Sequence, residues 1–326
     1  MTFAVRNDDA FRYLDPAVAH LEASDRTGAG IIALDTRIIV RVIGDDRASF
    51  LHGMCTADVK SAGFGAILPA LFLTEHAHVI ADAFIWVAAD ALLLDIDAEA
   101  WTRTRTHLER LLVADDVEFE EADTLAIIDV EGPAAVVPAP WNFIESGGAH
   151  LGNLPRYGGP AVSMIRPRDS VDSTIATFLA RTPGSRRIDA SELETIRIEN
   201  GVARVGVDTT DKTIALEARL NRSISFNKGC YLGQETIERA TARGGLKKRM
   251  FGLKFNTADV PQAGAILTLE GKEVGRVTSS VRSPRFGAIG LAILHHSAWT
   301  PGTELKVGED GVAIVSDLPF AQSLMS

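Results

Sequence analysis

The chain is sparing with thiols. Its 326 residues hold two cysteines, Cys55 and Cys230, too few for a disulfide framework, so the reducing cytoplasm is the expected location. Positive charge is in deficit as well, with 33 Lys and Arg against 43 Asp and Glu, a formal net charge of −10. A surface of that sign repels a phosphate backbone and argues against nucleic-acid binding as the main role. No apolar run is long enough to cross a bilayer: the most apolar stretch, 79–96, is broken by Asp82, Asp90 and Asp95. The opening residues "MTFAVRNDDAFRYLDP" have no continuous apolar core, so no secretory leader is expected. There is no P-loop, no G-x-G-x-x-G after a strand and no G-x-S-x-G elbow. Metal donors are also few. His52-x-x-Cys55 and the His76/His78 pair each fall short of a complete zinc set. An iron–sulfur cluster ordinarily takes four cysteine-type ligands, so no metal site is expected.

What is present suits a globular protein: 46% hydrophobic and 23% charged residues. The length exceeds a usual single core, which predicts two or three packed units. After a surface arm over the first 30 residues, "IIALDTRIIVRVIGDD" reads as two β-branched strands around Asp35-Thr36. "RASFLHGMCTADV" follows with Ala48, Leu51 and Cys55 at helical spacing. "VIGDDRA" at 42–48 and "VEGPAA" at 130–135 are similar enough to suggest a half-repeat, with Pro133 opening a second helix. "HVIADAFIWV" and "ALLLDI" read as paired strands, "DAEAWTRTRTHLERLL" as an amphipathic helix, and "VEFEE" as a strand. Helices on one face of a largely antiparallel sheet make an α+β arrangement. The Pro- and Gly-rich stretch 138–160 reads as a connection. A helix is predicted over 188–201, capped at Asp189 and stopped by Gly201. From 246 to 326 short alternating strands with Glu-Gly-Lys and Glu-Asp-Gly turns predict a separate β-barrel or sandwich.

Against this background Cys230 is unusual. It lies in "NKGCYLGQETIERATARGG", between Gly229 and Tyr231 and just before a helix opening at Gly233, Gln234 and Glu235. Helix N-termini favour anions, Lys228 acts in the same sense, and Gly229 and Gly233 permit a close backbone approach or an unusual turn. Free cysteine is among the most buried residue types, so a small core residue is the alternative. Flanking Lys, Gly, Gln and Glu favour a reactive or ligand-facing thiol.

"KGCYLGQE" at 228–235 resembles the K-G-C-[FY]-x-G-Q-E signature of the YgfZ family. The resemblance extends to "VIGDDRASFLHGMCTADV", "RIENGVARVGVDTTDKTIALEARL" and "GKEVGRVTSSVRSPRFGAIGLAIL", nearly the whole chain. That family comprises folate-binding proteins linked to assembly or repair of iron–sulfur enzymes, and is related to the glycine-cleavage T-protein aminomethyltransferase. The resemblance implies three lobes around a central channel: two interleaved α+β lobes over 1–245 and a C-terminal antiparallel barrel over 246–326. It implies tetrahydrofolate or a one-carbon derivative as ligand, iron–sulfur client or assembly proteins as partners, and a monomeric cytoplasmic protein. Cys230 and Lys228 are the implied catalytic pair. Glu199, in the R-x-E-x-G block, would accept the pterin N–H groups as a bidentate carboxylate. Gly229, Cys230, Tyr231, Gly233, Gln234 and Glu235 would line the ligand, and Arg249 is chosen from Arg222, Arg239, Arg243 and Arg249 for its carboxylate tail. In the T-protein's G-G-x-x-D-D stretch the chain departs: "HAHVIADAF" has Ala81 at the first aspartate position and keeps only Asp82. Two further readings stay open: a folate-dependent aminomethyl- or methyltransferase on an unknown amine donor, and an interaction module that has lost its ligand.

Overall fold

The computed structural model describes residues 28–132, 139–146, 149–242, 245–257, 259–308 and 311–321. The β-branched runs around Asp35-Thr36 form β1 (Gly30–Ala33) and β2 (Arg37–Ile43), followed by α1 (Arg47–Met54), which ends on Cys55. Then come β3 (Ile67–Leu73), β4 (Val79–Val87), β5 (Leu92–Asp97), α2 (Ala98–Leu111), β6 (Glu118–Glu121) and β7 (Leu125–Glu131). β8 (Phe143–Ser146), β9 (Ala149–Asn153), β10 (Ala161–Pro167), α3 (Val171–Arg181) and the two-residue β11 (Arg186–Arg187) follow. The two sheets interleave in sequence. One has the order β3-β4-β5-β2-β6 and the other β11-β1-β7-β10-β9-β8. Neighbours β1 and β2 therefore separate, β1 pairing with β7 and β2 with β5, both antiparallel.

Each sheet carries a helix on an apolar face. Asp97 caps α2, its Oδ1 accepting the N–H groups of Glu99 and Ala100 at 3.0 and 3.2 Å. Buried Trp101 of α2 meets the Phe119 ring of β6 edge-on at 5.7 Å. α3 buries Ile175 and Phe178 against Ile31, Ile128 and Val130. On the opposite faces aromatic rings meet, Trp86 of β4 with Phe143 of β8 at 5.3 Å and Phe84 with Trp141 at 6.4 Å. A buried ion network lies among them. Arg156 donates to Asp129 of β7 (2.7 Å) and to Asp95 of β5 (2.5 Å), and Arg37 holds the other Asp95 oxygen at 2.5 Å.

The stretch 138–160 is not the simple connection its composition suggests, because β8 and β9 form an antiparallel hairpin within it. Gly152 of β9 is a packing glycine. A Cβ there would stand 2.5 Å from Ile67 Cδ1 and 2.6 Å from the Trp86 ring. The arm expected over the first 30 residues lies almost wholly outside the described residues, as do the helix expected from Pro133 and the Glu309-Asp310 turn.

The C-terminal strands are β12 (Lys248–Phe255), β13 (Ile266–Leu269), β14 (Lys272–Ser283), β15 (Gly287–His295), β16 (Glu304–Val307) and β17 (Gly311–Ser316). They close into an antiparallel barrel of order β12-β15-β14-β13-β16-β17, with β17 pairing back to β12. The Glu-Gly-Lys hairpin is as expected: Glu270 (φ +51°) and Gly271 (φ +78°) are both left-handed, which a tight primed turn requires. α4 (Ala190–Glu199) and α5 (Gln234–Ala242) precede the barrel. The protein is thus α+β with a C-terminal antiparallel barrel.

Two units divide the chain. One takes the described residues up to Phe72 with Ala81–Asp189 and Ser225–Gly229. The other takes Leu73–Ile80, Ala190–Ile224 and the described residues from Cys230 onward. The barrel's first strand opens at Lys248, and its unit also holds Leu73–Ile80 and Ala190–Ile224. Among the described residues no helix is long and apolar enough to cross a membrane.

Candidate functional site

The signature is fastened on both sides of Cys230. On the N-terminal side, the Ser225 N–H donates to the Thr56 carbonyl at 2.9 Å. Lys228 is buried, and its Nζ donates to the carbonyls of Cys55 (2.8 Å), Ala57 (2.7 Å) and His52. His52 and Cys55 belong to the end of α1, where a helix leaves carbonyls without intrahelical donors. A cation is favoured there by the helix dipole as well. Burial pushes the Lys228 pKa down. Three bonds match the three donors of an ammonium, and they fix where Lys228 holds the signature.

Beside it, His52 Nδ1 faces Asp58 at 3.3 Å, and burial, assisted by the Lys228 charge, pushes the His52 pKa down. A Cβ added at Gly229 would meet only His52 Nε2, at 3.8 Å, so the fold itself leaves room at this glycine. Cys55 is buried and its thiol is pushed up to about 11 by burial, which makes it an unreactive core sulfur. His76 and His78 stand 6.1 Å apart, ring to ring. Among the described residues no group of three or more His, Cys, Asp or Glu is placed to hold a metal ion.

Cys230 itself is exposed. Tyr231 after it is buried, which pushes its hydroxyl up to about 12. The Gln234 N–H donates back to the Tyr231 carbonyl at 3.2 Å, closing a turn whose third residue, Gly233, has φ +87°. Only glycine takes that position easily. A Cβ on Gly233 would also lie 2.7 Å from the Thr74 carbonyl oxygen, so this glycine serves the turn and its packing on Thr74–Ala77. Gln234 Oε1 accepts the Tyr231 N–H at 3.3 Å, and its Nε2 donates to Glu238 at 2.8 Å. These contacts cap α5. Glu235 pairs with Arg239 at 2.5 Å on the exposed face of the helix, a surface pair of small energetic weight.

Glu199 ends α4 and is 2% exposed, unlike the solvated residue a helix-end Glu usually is. Its Oε1 accepts from Ser283 Oγ at 2.6 Å, and its Oε2 pairs with Arg285 Nη1 at 3.1 Å. Arg249, at the start of β12, is exposed, as are Arg222 and Lys247. Arg243 lies outside the described residues. Sequence reasoning missed Arg285, which supplies the counter-charge to Glu199, and Arg219, whose backbone is left-handed at φ +56°. Arg285 lies 86 positions from Glu199, and no local pattern marks either arginine.

Similarity to known proteins accords with this layout. The C-terminal barrel family of the glycine-cleavage T-protein matches residues 248–321. A putative chloroplastic transferase of Arabidopsis thaliana is 30% identical over 92% of this chain and 73% of its own. The tRNA-modifying protein YgfZ of Edwardsiella ictaluri is 25% identical over 92% of this chain and 95% of its own. The chain belongs to the YgfZ family. Another relative is the mitochondrial iron–sulfur cluster assembly factor IBA57 of Mus musculus, 26% identical over 87% of this chain and 82% of its own. The crystal structure of the glycine cleavage system aminomethyltransferase T from Bartonella henselae superimposes with a TM-score of 0.82, covering 90% of this chain and 87% of that one at 20% identity. The fold is therefore that of the T-protein. Within it, this YgfZ-family member places Ala81, fully buried, and half-buried Asp82 on β4.

Proposed function

We propose that this protein is a tetrahydrofolate-binding accessory factor for the assembly or repair of iron–sulfur proteins, acting through Cys230. The observation that carries the reading is an exposed thiol within a signature whose neighbours on either side are anchored. The relatives named for iron–sulfur cluster assembly support the client class. The folate fit rests on Glu199, a buried carboxylate with an arginine counter-charge. In this reading Glu199 accepts the pterin N–H pair, Gly229 and Gly233 keep the backbone low, and Tyr231, Gln234 and Glu235 hold the segment around Cys230. Arg249 takes the carboxylate tail. Tetrahydrofolate, when bound, supplies a one-carbon carrier. The chain's own task is to present one sulfur beside it.

The alternative, a folate-dependent aminomethyl- or methyltransferase, draws on the T-protein fold and the relative named a transferase. Ala81 weighs against it, because aminomethyl transfer needs a positioned carboxylate to handle the amine proton. One relative is named a tRNA-modifying protein, but the net charge of −10 does not favour RNA as a direct ligand.

Three measurements test the proposal. Glu199→Ala is expected to weaken tetrahydrofolate binding by about tenfold or more, the loss of a charge-assisted bidentate contact. Unchanged affinity by calorimetry removes Glu199 from the site. Iodoacetamide at neutral pH is expected to modify Cys230 at least about tenfold faster than buried Cys55, with saturating tetrahydrofolate slowing Cys230 alone. A folate-independent rate at Cys230 counts against a thiol beside the ligand. In cells, a deletion strain losing several iron–sulfur enzyme activities, restored by wild type and not by Cys230→Ala, completes the case.

A further inference from the structure

Arg219 and Arg249 lie near enough for their charges to oppose each other, and among the described residues neither forms a salt bridge with a carboxylate. Arg249 is the second residue of β12, on the face shared by Phe251, Leu253 and Phe255, which line the barrel core. It therefore sits at the end of the barrel on its inner face, with Phe251 one step further in. Arg219 reaches the same place from the loop before the signature. Its Nε donates to the Met250 carbonyl at 2.7 Å, and its guanidinium lies over the Phe251 ring, 4.9 Å from the centroid. Trp299 packs on Phe251 at 6.1 Å and completes the aromatic floor.

Three features separate this pair from ordinary surface arginines. Among the described residues no carboxylate lies within salt-bridge distance of either guanidinium, although the chain carries ten more acidic than basic side chains. Asp317 acts on Arg219 only from a greater distance. Arg219 holds a left-handed backbone, φ +56°, which costs a non-glycine residue on the order of 1 kcal/mol or more. The stacking and the Met250 bond fix its plane, and the Met250 bond uses its Nε rather than its Nη groups. Burial and the nearby Arg249 charge push the Arg219 pKa down, as expected of a guanidinium crowded by a like charge.

We propose that Arg219 and Arg249 form a binding site for a doubly charged oxyanion group, a dicarboxylate or a phosphate, above the Phe251 ring at the end of the barrel. Two guanidinium forks match the paired oxygens of such a group, and an anion between them relieves their mutual repulsion. This extends the assignment of Arg249 to the folate carboxylates, and it adds Arg219 as the residue that makes the site selective for two charges over one. The site rests on that assignment only for the identity of its natural ligand.

The test uses the full chain at constant ionic strength, with glutarate, inorganic phosphate and acetate as probes in calorimetry and thermal unfolding. Glutarate or phosphate is expected to bind saturably and to raise the melting temperature, with acetate inert. A response to glutarate alone identifies a carboxylate chain, and one to phosphate alone a phosphorylated ligand. Arg249→Met, at an exposed residue, is expected to weaken the dianion at least tenfold without altering the melting temperature of the free protein. Arg219→Gly, which relieves the left-handed strain, is expected to do the same to binding, while Arg219→Lys recovers little because the fork is lost. The proposal fails if the two dianions behave as acetate does, or if Arg249→Met binds them as wild type does. Glu199→Ala distinguishes this from failure of the folate reading, since it leaves small-anion binding unchanged.

Discussion

Alanine at Asp95 is expected to destabilise the protein by about 3–5 kcal/mol, the cost of leaving a buried charge without its partner. Asp95 is fully buried on β5. It receives Arg156 Nη2 on one oxygen and Arg37 Nε on the other, each at 2.5 Å, while Arg37 Nη2 also donates to its backbone carbonyl at 2.6 Å. Burial alone pushes the carboxyl up, but the Arg156 and Arg37 charges overcome it and hold its pKa below the usual carboxylate range. A lowered carboxylate pKa adds stability that is complete above the unfolded value, near 4, and is lost as pH falls through the folded value. Urea unfolding at neutral pH should show a lower midpoint with an unchanged slope. The difference between wild type and Asp95→Ala should shrink in acid. A cost below about 1 kcal/mol would mean the pair behaves as a surface contact and the network does not hold the two sheets. Replacing Asp95, Arg156 and Asp129 together with apolar residues of similar volume should recover much of the loss, since a buried ion network is costly to break and cheaper to replace whole.

That network also shows why sequence reasoning stops where it does. Arg156 stands in "GNLPRYGGP", a stretch with every mark of an exposed turn, and is 3% exposed because its carboxylates come from positions 61 and 27 residues earlier. Charge burial is a tertiary fact with no local signal. The β8–β9 hairpin was hidden for a related reason: Gly152 looks like a breaker until Trp86 and Ile67 are seen to press on its Cα. Features of short range were legible. The Glu270-Gly271 turn, the α2 and α4 helices and the alternating barrel strands depend on neighbours within a few residues, and all appear as their patterns indicate. The site divides in the same way. The eight-residue signature marks Cys230 and its exposed setting, and Gly233 and Gln234 perform local turn and capping roles that their types suggest. The burial of Glu199 and the use of Lys228 depend on Ser283, Arg285 and α1, which lie 84 to 176 positions away.

Lys228→Met is expected to cost about 3 kcal/mol and to disturb the signature beyond that loss. Methionine matches the lysine stem but cannot donate, so the buried carbonyls of Cys55 and Ala57 and that of His52 lose a common donor. Each carbonyl has two lone pairs, and that of Ala57 also accepts the Val59 N–H at 3.1 Å. The total therefore falls nearer the range for one or two unsatisfied groups, about 1–3 kcal/mol apiece, than for three. The second consequence distinguishes positioning from general stability. Lys228 is two residues before Cys230 and, together with the Ser225–Thr56 bond, ties Ser225–Gly229 to the end of α1, so freeing it lets the backbone ahead of the thiol move. Hydrogen exchange should then quicken at the Ser225 amide and across Lys228–Cys230 by far more than at the barrel amides of β14 and β15. Folate-dependent protection of Cys230 from alkylation should be lost in the same variant at temperatures where it remains folded. A uniform rise in exchange across the whole chain, with folate protection intact, would reduce Lys228 to an ordinary contributor to stability. Loss of protection with only local loosening would establish that the lysine of the signature acts through three backbone carbonyls to hold the sulfur in place.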